Sequence, residues 1–299
     1  GEREPLLIAI DVDGTLLNTE FDDVLGAREV AAMEAVRQAG HVLALCTGRN
    51  LNSTTALLEK SGWNPDDLPM VLLNGAVVWG GRPRRCLKRN ELDGARIHAL
   101  VGLFKEHETV PMVYGSDDDG GVLHHEKRRT NDILGRYLAN RRSAVGAITA
   151  VEDLAELPWT RALEVGTIDT RERISALTAA IGAAVPDVKV INTRSLLGGG
   201  RFYWAEAFDA GSDKGRGMAA LAEACGIPLS HTVAIGDNYN DLDMFETAAV
   251  SVAMAGSPDE VLARADHVAG PVQEGGAAQV LERIAAGERP AANGWRSAT

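Results

Sequence analysis

Three cysteines in a chain of 299 residues leave little room for a covalent framework. Cys46, Cys86 and Cys225 are odd in number and far apart. Neither a disulfide scaffold nor a cysteine zinc site is expected from them, and a reducing cytoplasm fits. Positive charge is also scarce, with 30 Lys and Arg against 42 Asp and Glu and a net charge of −12. That balance lacks the basic footprint by which proteins bind nucleic acid or anionic membranes. No apolar run reaches the roughly 18 residues that read as a membrane-spanning helix. The N-terminal residues enter a strand directly, without a signal-peptide pattern, so the expected location is cytoplasmic. In that setting Asn52-Ser53-Thr54 is a chance match to a glycosylation acceptor. Asp117-Asp118-Asp119-Gly120-Gly121 lacks the downstream ligands of a calcium loop and reads as a solvated turn. No internal repeat is evident.

What remains is an ordinary globular composition, 45% hydrophobic and 24% charged. The length suits one large or two modest domains. The first part alternates strands with helices: strands at 6–10, 41–46 and 70–73, helices at 26–39 and 51–60. Gly40 stops the first helix, and Asn74-Gly75 ends the third strand. This order implies a parallel sheet. From about residue 81 to 209 the pattern changes. Strands are expected at 111–114, 162–166, 188–191 and 201–208, and helices at 94–106 and 171–185. Leu197-Gly198-Gly199-Gly200 reads as the turn of a hairpin. The last part returns to α/β, with a helix at 214–224 stopped by Gly226-Ile227-Pro228. Strands follow at 232–235 and 250–253, with a short helix at 240–247 between them. Ser257-Pro258-Asp259-Glu260 has the form of a capping box. The residues after about Glu288 are small and polar and are expected to be disordered. The fold class is therefore α/β, a doubly wound Rossmann-like parallel sheet with an inserted α+β domain. The core is assigned to residues 1–80 and 210–299, and the insert to 81–209.

The chemistry is concentrated where the first strand ends. Leu6-Leu7-Ile8-Ala9-Ile10 runs into Asp11-Val12-Asp13-Gly14-Thr15. Two carboxylates at the end of a buried strand carry a desolvation cost unless a cation or substrate uses them. Open parallel sheets place their sites just beyond the carboxyl ends of their strands. Asp11 and Asp13, Thr47, Lys214, and Asp237 with Asp241 would meet at that edge. Such an all-oxygen set suits magnesium rather than zinc. A carboxylate beside the metal can attack phosphorus, a second can protonate the leaving alcohol, and a hydroxyl and an ammonium can hold phosphoryl oxygens.

Asp11-Val12-Asp13-Gly14-Thr15, Thr47-Gly48-Arg49, Asp213-Lys214-Gly215 and Gly236-Asp237-Asn238-Tyr239-Asn240-Asp241 resemble, in order, the four motifs of the haloacid dehalogenase-like superfamily. Their spacing resembles its Cof-type phosphatases (subfamily IIB), which insert a large cap between the second and third motifs. Leu73-Asn74-Gly75-Ala76 is similar to the stretch that precedes that cap. The resemblance implies Asp11 as a nucleophile forming an aspartyl-phosphate, and Asp13 as general acid and then general base. It implies magnesium held by Asp11, the Asp13 carbonyl and Asp237. Thr47, Gly48, Lys214 and Asn240 would bind the phosphoryl group, with Asp241 behind them orienting water or Lys214. The family often shows Met-Gly-Asn after the last core strand; here Met254-Ala255-Gly256-Ser257 stands instead, which puts one phosphate- or lysine-side contact in doubt.

Blander roles stand beside these. Thr47 can cap a turn. Arg49 can touch substrate or pair with a surface carboxylate, and Asn74 can reach substrate or only form its turn. Asp243 reads as a solvated helix position, His124 to Arg129 as a solvated face, and Tyr203 and Trp204 as sheet packing. The reading is a magnesium-dependent phosphatase, monomeric or a small homo-oligomer, acting on a small phosphorylated metabolite. A phosphomutase of the same superfamily and a receiver-type signalling domain are the alternatives.

Overall fold

The computed structural model describes residues 3–18, 23–119, 121–141 and 147–297. It divides into two compact units, one of residues 1–48, 55–88 and 213–299, the other of 49–54 and 89–212.

The first part of the chain runs β1 (Leu7–Ile10), α1 (Ala27–Gln38), β2 (Val42–Cys46), α2 (Leu51–Lys60) and β3 (Met70–Leu72), all in the first unit except the opening four residues of α2. β4 (Val77–Gly80) and β5 (Arg85–Arg89) continue the same sheet past Gly80, and β4 runs antiparallel to β3. The chain returns from the insert in α6, and the order here is α6 (Lys214–Cys225), β13 (Thr232–Gly236), α7 (Leu242–Thr247), β14 (Val250–Met254), α8 (Asp259–Arg264), β15 (His267–Ala269) and α9 (Gly276–Ala285). The sheet order is β15-β14-β13-β1-β2-β3-β4-β5. β1 pairs in parallel with both β2 and β13. Strands buried on both faces must be apolar throughout, and every β1 residue is fully buried. The chain leaves β1 toward β2 and comes back on its other side at β13, so the connections diverge at the carboxyl ends of these strands. That divergence opens the crevice where doubly wound sheets bind ligands.

Local signals explain the helix ends. Asp213 caps α6 through the Arg216 amide, and Gly226 terminates it in the left-handed conformation. The expected capping box at Ser257 does not form. Ser257 Oγ instead donates to Met254 O at 2.6 Å, and the helix begins after Pro258 with no side-chain cap. Residues 289–296 of the tail are structured, contrary to expectation. β16 (Arg289–Ala291) and β17 (Gly294–Arg296) form a hairpin, with the Arg283 guanidinium 3.8 Å from the Trp295 ring centre. A short polar tail lacks apolar periodicity, so its docking on α9 is invisible to pattern reading.

The second unit contains β6 (Leu92–Asp93), α3 (Gly94–Glu106), β7 (Met112–Gly115), β8 (Val122–Glu126), α4 (Asp132–Arg141), β9 (Ala147–Val151), β10 (Arg161–Thr170), α5 (Arg171–Ala184), β11 (Val188–Arg194) and β12 (Phe202–Asp209). Its sheet order is β11-β12-β10-β7-β8-β9, with β6 on β10. α3 and α5 pack Ile97, Leu100, Phe104, Ile174 and Leu177 into its own core. β11 and β12 pair antiparallel around the glycine turn. The polar run at 124–129 is a solvated face only in its second half, where Lys127, Arg128 and Arg129 are exposed; its first three residues complete β8, where Glu126 is buried and accepts from the Leu154 amide at 2.7 Å. Lys105 and Arg129 supply its counter-charges. The expected solvated turn at 117–121 is a 3₁₀ turn over Asp117–Asp119 with Asp119 buried against Arg89, and Gly120 lies outside the described residues. Trp204 packs edge-on to Tyr137, with ring centres 4.7 Å apart, and Tyr203 lies beneath the Arg171 guanidinium.

Candidate active site

β1 and β13 lie side by side, so Asp11 and Asp237 emerge one residue past neighbouring strand ends. The Asp11 amide continues the ladder, donating to Ile235 O at 2.9 Å. Asp11 Oδ1 accepts from the Val12 amide at 2.7 Å and meets Lys214 Nζ at 3.0 Å. Lys214, fully buried at the start of α6, also donates to Asp241 Oδ1 at 2.7 Å. A lysine at a helix N-terminus opposes the macrodipole; here two carboxylates hold it.

Asp241 is likewise fully buried. Its second oxygen accepts from the Asp237 amide at 2.8 Å and the Asn238 amide at 3.1 Å. These bonds shape the loop that presents Asp237. Thr15 Oγ1 donates to Asp237 Oδ1 at 3.1 Å, a contact that the sequence reading did not assign, although its hydroxyl belongs to the first motif. Gly14 has φ +82°, and a Cβ there would overlap the Asp237 carboxylate. Only glycine permits both that conformation and that approach.

One oxygen from each of Asp11, Asp237 and Asp241 lies within 4.8 Å of the others. Three carboxylates against one ammonium leave two uncompensated negative charges in a buried place. Burial, reinforced by Asp241, holds the Asp11 carboxyl well above the usual carboxylate range. Burial and Asp241 likewise push Asp237 up to about 7. Burial alone would lower Lys214, but Asp11 and Asp241 overcome it and raise its pKa. Hard oxygen donors with excess negative charge fit a divalent cation such as magnesium. The half-buried Asp13 carboxylate is not among the three that converge.

Thr47 is fully buried just past β2, its amide donating to Val71 O at 2.9 Å. Asn74 lies against Gly48, and Asn240 Nδ2 donates to Asn74 Oδ1 at 3.0 Å. Asn240 Oδ1 is buried without a hydrogen-bond partner. Arg49 is buried, with Nη1 donating to Ser53 Oγ at 3.2 Å. Asp243 is half-buried in the first turn of α7, outside the carboxylate cluster. Ser257 is bonded into its own turn.

The family model of haloacid dehalogenase-like hydrolases matches residues 8–281. A Bacillus subtilis 5-amino-6-(5-phospho-D-ribitylamino)uracil phosphatase is 28% identical over 94% of this chain and 98% of its own length. The Escherichia coli pyridoxal phosphate phosphatase is 25% identical over 88% of this chain and 93% of its own. Among solved structures, a B. subtilis haloacid dehalogenase-like hydrolase superimposes with TM-score 0.75 at 20% identity, covering 93% of this chain and 99% of that one. A subclass IIB sugar phosphatase gives 0.72 at 19%, covering 93% and 98%. With a match spanning almost the whole chain, this protein belongs to the haloacid dehalogenase-like hydrolase family.

Proposed function

We propose that this phosphatase hydrolyses a small phosphate monoester, a sugar phosphate or a phosphorylated cofactor, through an aspartyl-phosphate on Asp11. The observation that carries the reading is the meeting of Asp11, Asp237, Asp241 and Lys214 at the carboxyl edge of one sheet. The phosphatase names of the relatives support the same class.

In the first step an Asp11 oxygen attacks phosphorus, and the bond to the leaving oxygen breaks. Asp13 gives that oxygen its proton. In the second step Asp13 takes a proton from water, whose oxygen attacks the phosphoryl-aspartate. Inorganic phosphate leaves and Asp11 is restored. Thr47, the Gly48 turn, Lys214 and Asn240, through the second hydrogen of its Nδ2, hold the phosphoryl oxygens, assisted by the amides after Asp11. Lys214 draws the Asp11 pKa down, against the burial and the neighbouring carboxylates that raise it. Asp241 acts through others, orienting Lys214 and the Asp237 loop. Magnesium, held by Asp11, Asp237 and the Asp13 carbonyl, would screen the repulsion between attacking carboxylate and phosphate.

The test is phosphate release from a panel of phosphorylated metabolites, with and without magnesium, for wild type and Asp11→Asn. Magnesium-dependent release that the variant loses is expected. Full turnover by Asp11→Asn, or activity that survives exhaustive chelation, would refute the mechanism.

A further inference from the structure

The turn after β3 touches three of the segments that build the site. Leu73, Asn74 and Gly75 have successive φ values of +48°, +52° and +104°. For leucine this is an outlier, and such strain persists only where the surroundings over-determine it. The surroundings here are the site's own loops. The Asn74 amide donates to Thr47 O at 3.0 Å. Its carboxamide lies over Gly48, where an added Cβ would stand 3.4 Å from Asn74 Oδ1. The same oxygen accepts from Asn240 Nδ2 at 3.0 Å. Gly75 abuts the backbone of Asp213 so closely that any Cβ would overlap it. Asp213 caps the helix whose first residue is Lys214.

We infer that Asn74 is a positioning residue, holding the Thr47-Gly48 turn and Asn240 in register with the Lys214 helix rather than contacting substrate. Asn74 is fully buried, and its amide hydrogen and carboxamide oxygen are both committed to the protein. The bond to Asn240 also turns the Asn240 carboxamide so that its oxygen is the atom left unengaged. Loops after β2 and β13 are fixed at their strand ends, but their tips need a common reference. The strained turn supplies one from a third strand. Phosphoryl transfer depends on such placement, since a misplacement of about 1 Å can cost on the order of a hundredfold in rate. The kinetic part of this inference rests on the phosphatase reading; the structural part does not.

The test uses Asn74→Gly, which keeps the positive φ accessible while deleting the carboxamide, with Asn240→Ala and the double variant. Turnover is measured on p-nitrophenyl phosphate, glycerol phosphate and a hexose phosphate. kcat is expected to fall roughly ten- to a hundredfold by the same factor on all three esters, with KM changing less. The double variant should be no worse than the worse single one, as for two residues acting as a unit. Losses that differ between esters by more than about tenfold would assign Asn74 to the leaving group and overturn the inference. Additive losses would overturn it too. Hydrogen exchange provides a readout without turnover. The peptide spanning residues 47–50 should exchange faster in Asn74→Gly while those of β7 to β12 stay unchanged; an unaltered 47–50 peptide defeats the inference. Wild type inert on every ester would defeat the phosphatase reading, and the exchange result would then decide this one alone.

Discussion

Replacing Lys214 with methionine removes the ammonium that bridges Asp11 and Asp241 in the carboxylate cluster while keeping most of its volume. Its Nζ lies 3.0 Å from Asp11 and 2.7 Å from Asp241. At an effective dielectric of about 20, each contact is worth roughly 5–6 kcal/mol of gross attraction. Desolvating three ions consumes most of that sum. The observable cost is that of stranding charges whose partner is gone, about 3–5 kcal/mol. For a chain of 299 residues that corresponds to a fall in melting temperature of roughly 5–8 °C in chelator. Magnesium should return much of the loss, because a cation can replace the positive charge that Lys214 supplied to the cluster. Thermal melts of wild type and Lys214→Met, each in chelator and in millimolar magnesium, check this. The magnesium-induced rise should be larger in the variant, while phosphatase turnover is lost. Equal destabilisation with and without magnesium would refute the electrostatic account of the site.

Two further predictions concern pH. His41 Nδ1 accepts from the Leu6 amide at 3.0 Å, and its Nε2 faces Arg289 at 3.1 Å. Burial, together with Arg289, lowers its pKa from 6.5 to about 4. A depressed pKa contributes stability above the unfolded value that is lost as pH falls, so the magnesium-loaded protein should lose about 2 kcal/mol between roughly pH 6.5 and 4. His41→Gln should flatten that slope in denaturant titrations, and an unchanged slope would remove His41 as its source. In the insert, burial and neighbouring Glu206 raise Glu164 well above the usual carboxylate range. A raised carboxyl favours the fold at low pH, and that contribution is lost as pH rises through the folded value. Glu164→Gln should therefore stabilise the protein at pH 8 by about 1–2 kcal/mol and give no gain at pH 4. A variant less stable than wild type at both values would contradict the buried-acid account.

The chemistry of the site was legible in the sequence because its parts are local. Asp11 follows a fully apolar strand, Gly14 stands where the backbone turns left-handed, and Lys214 breaks the preference of helix N-termini for negative charge. Each of these is a rule about neighbours along the chain. The alternating strands and helices of the core were readable for the same reason, since buried parallel strands must be apolar at every position. Elements stabilised by distant partners escaped that reading. β8 carries His124, His125 and Glu126, whose polarity looks solvated until Lys105 and Arg129 are placed around Glu126. The tail hairpin depends on Arg283 beneath Trp295. Ser257 has the form of a cap, but its hydroxyl meets the Met254 carbonyl instead.

Which residue types stand at the strand ends, and in what order the loops follow, is written along the chain. Which of them meet is set by how the strands pack. Asp241 lies 230 residues after Asp11 in the chain (241 − 11), yet one lysine bonds both, because parallel pairing lays β13 beside β1. Asn74, readable from sequence as a turn residue or a substrate contact, became a junction of three loops only when β3 was laid beside β2. A residue's chemical type is set by its side chain, but its pKa, its partners and its reach are set by what the fold packs against it.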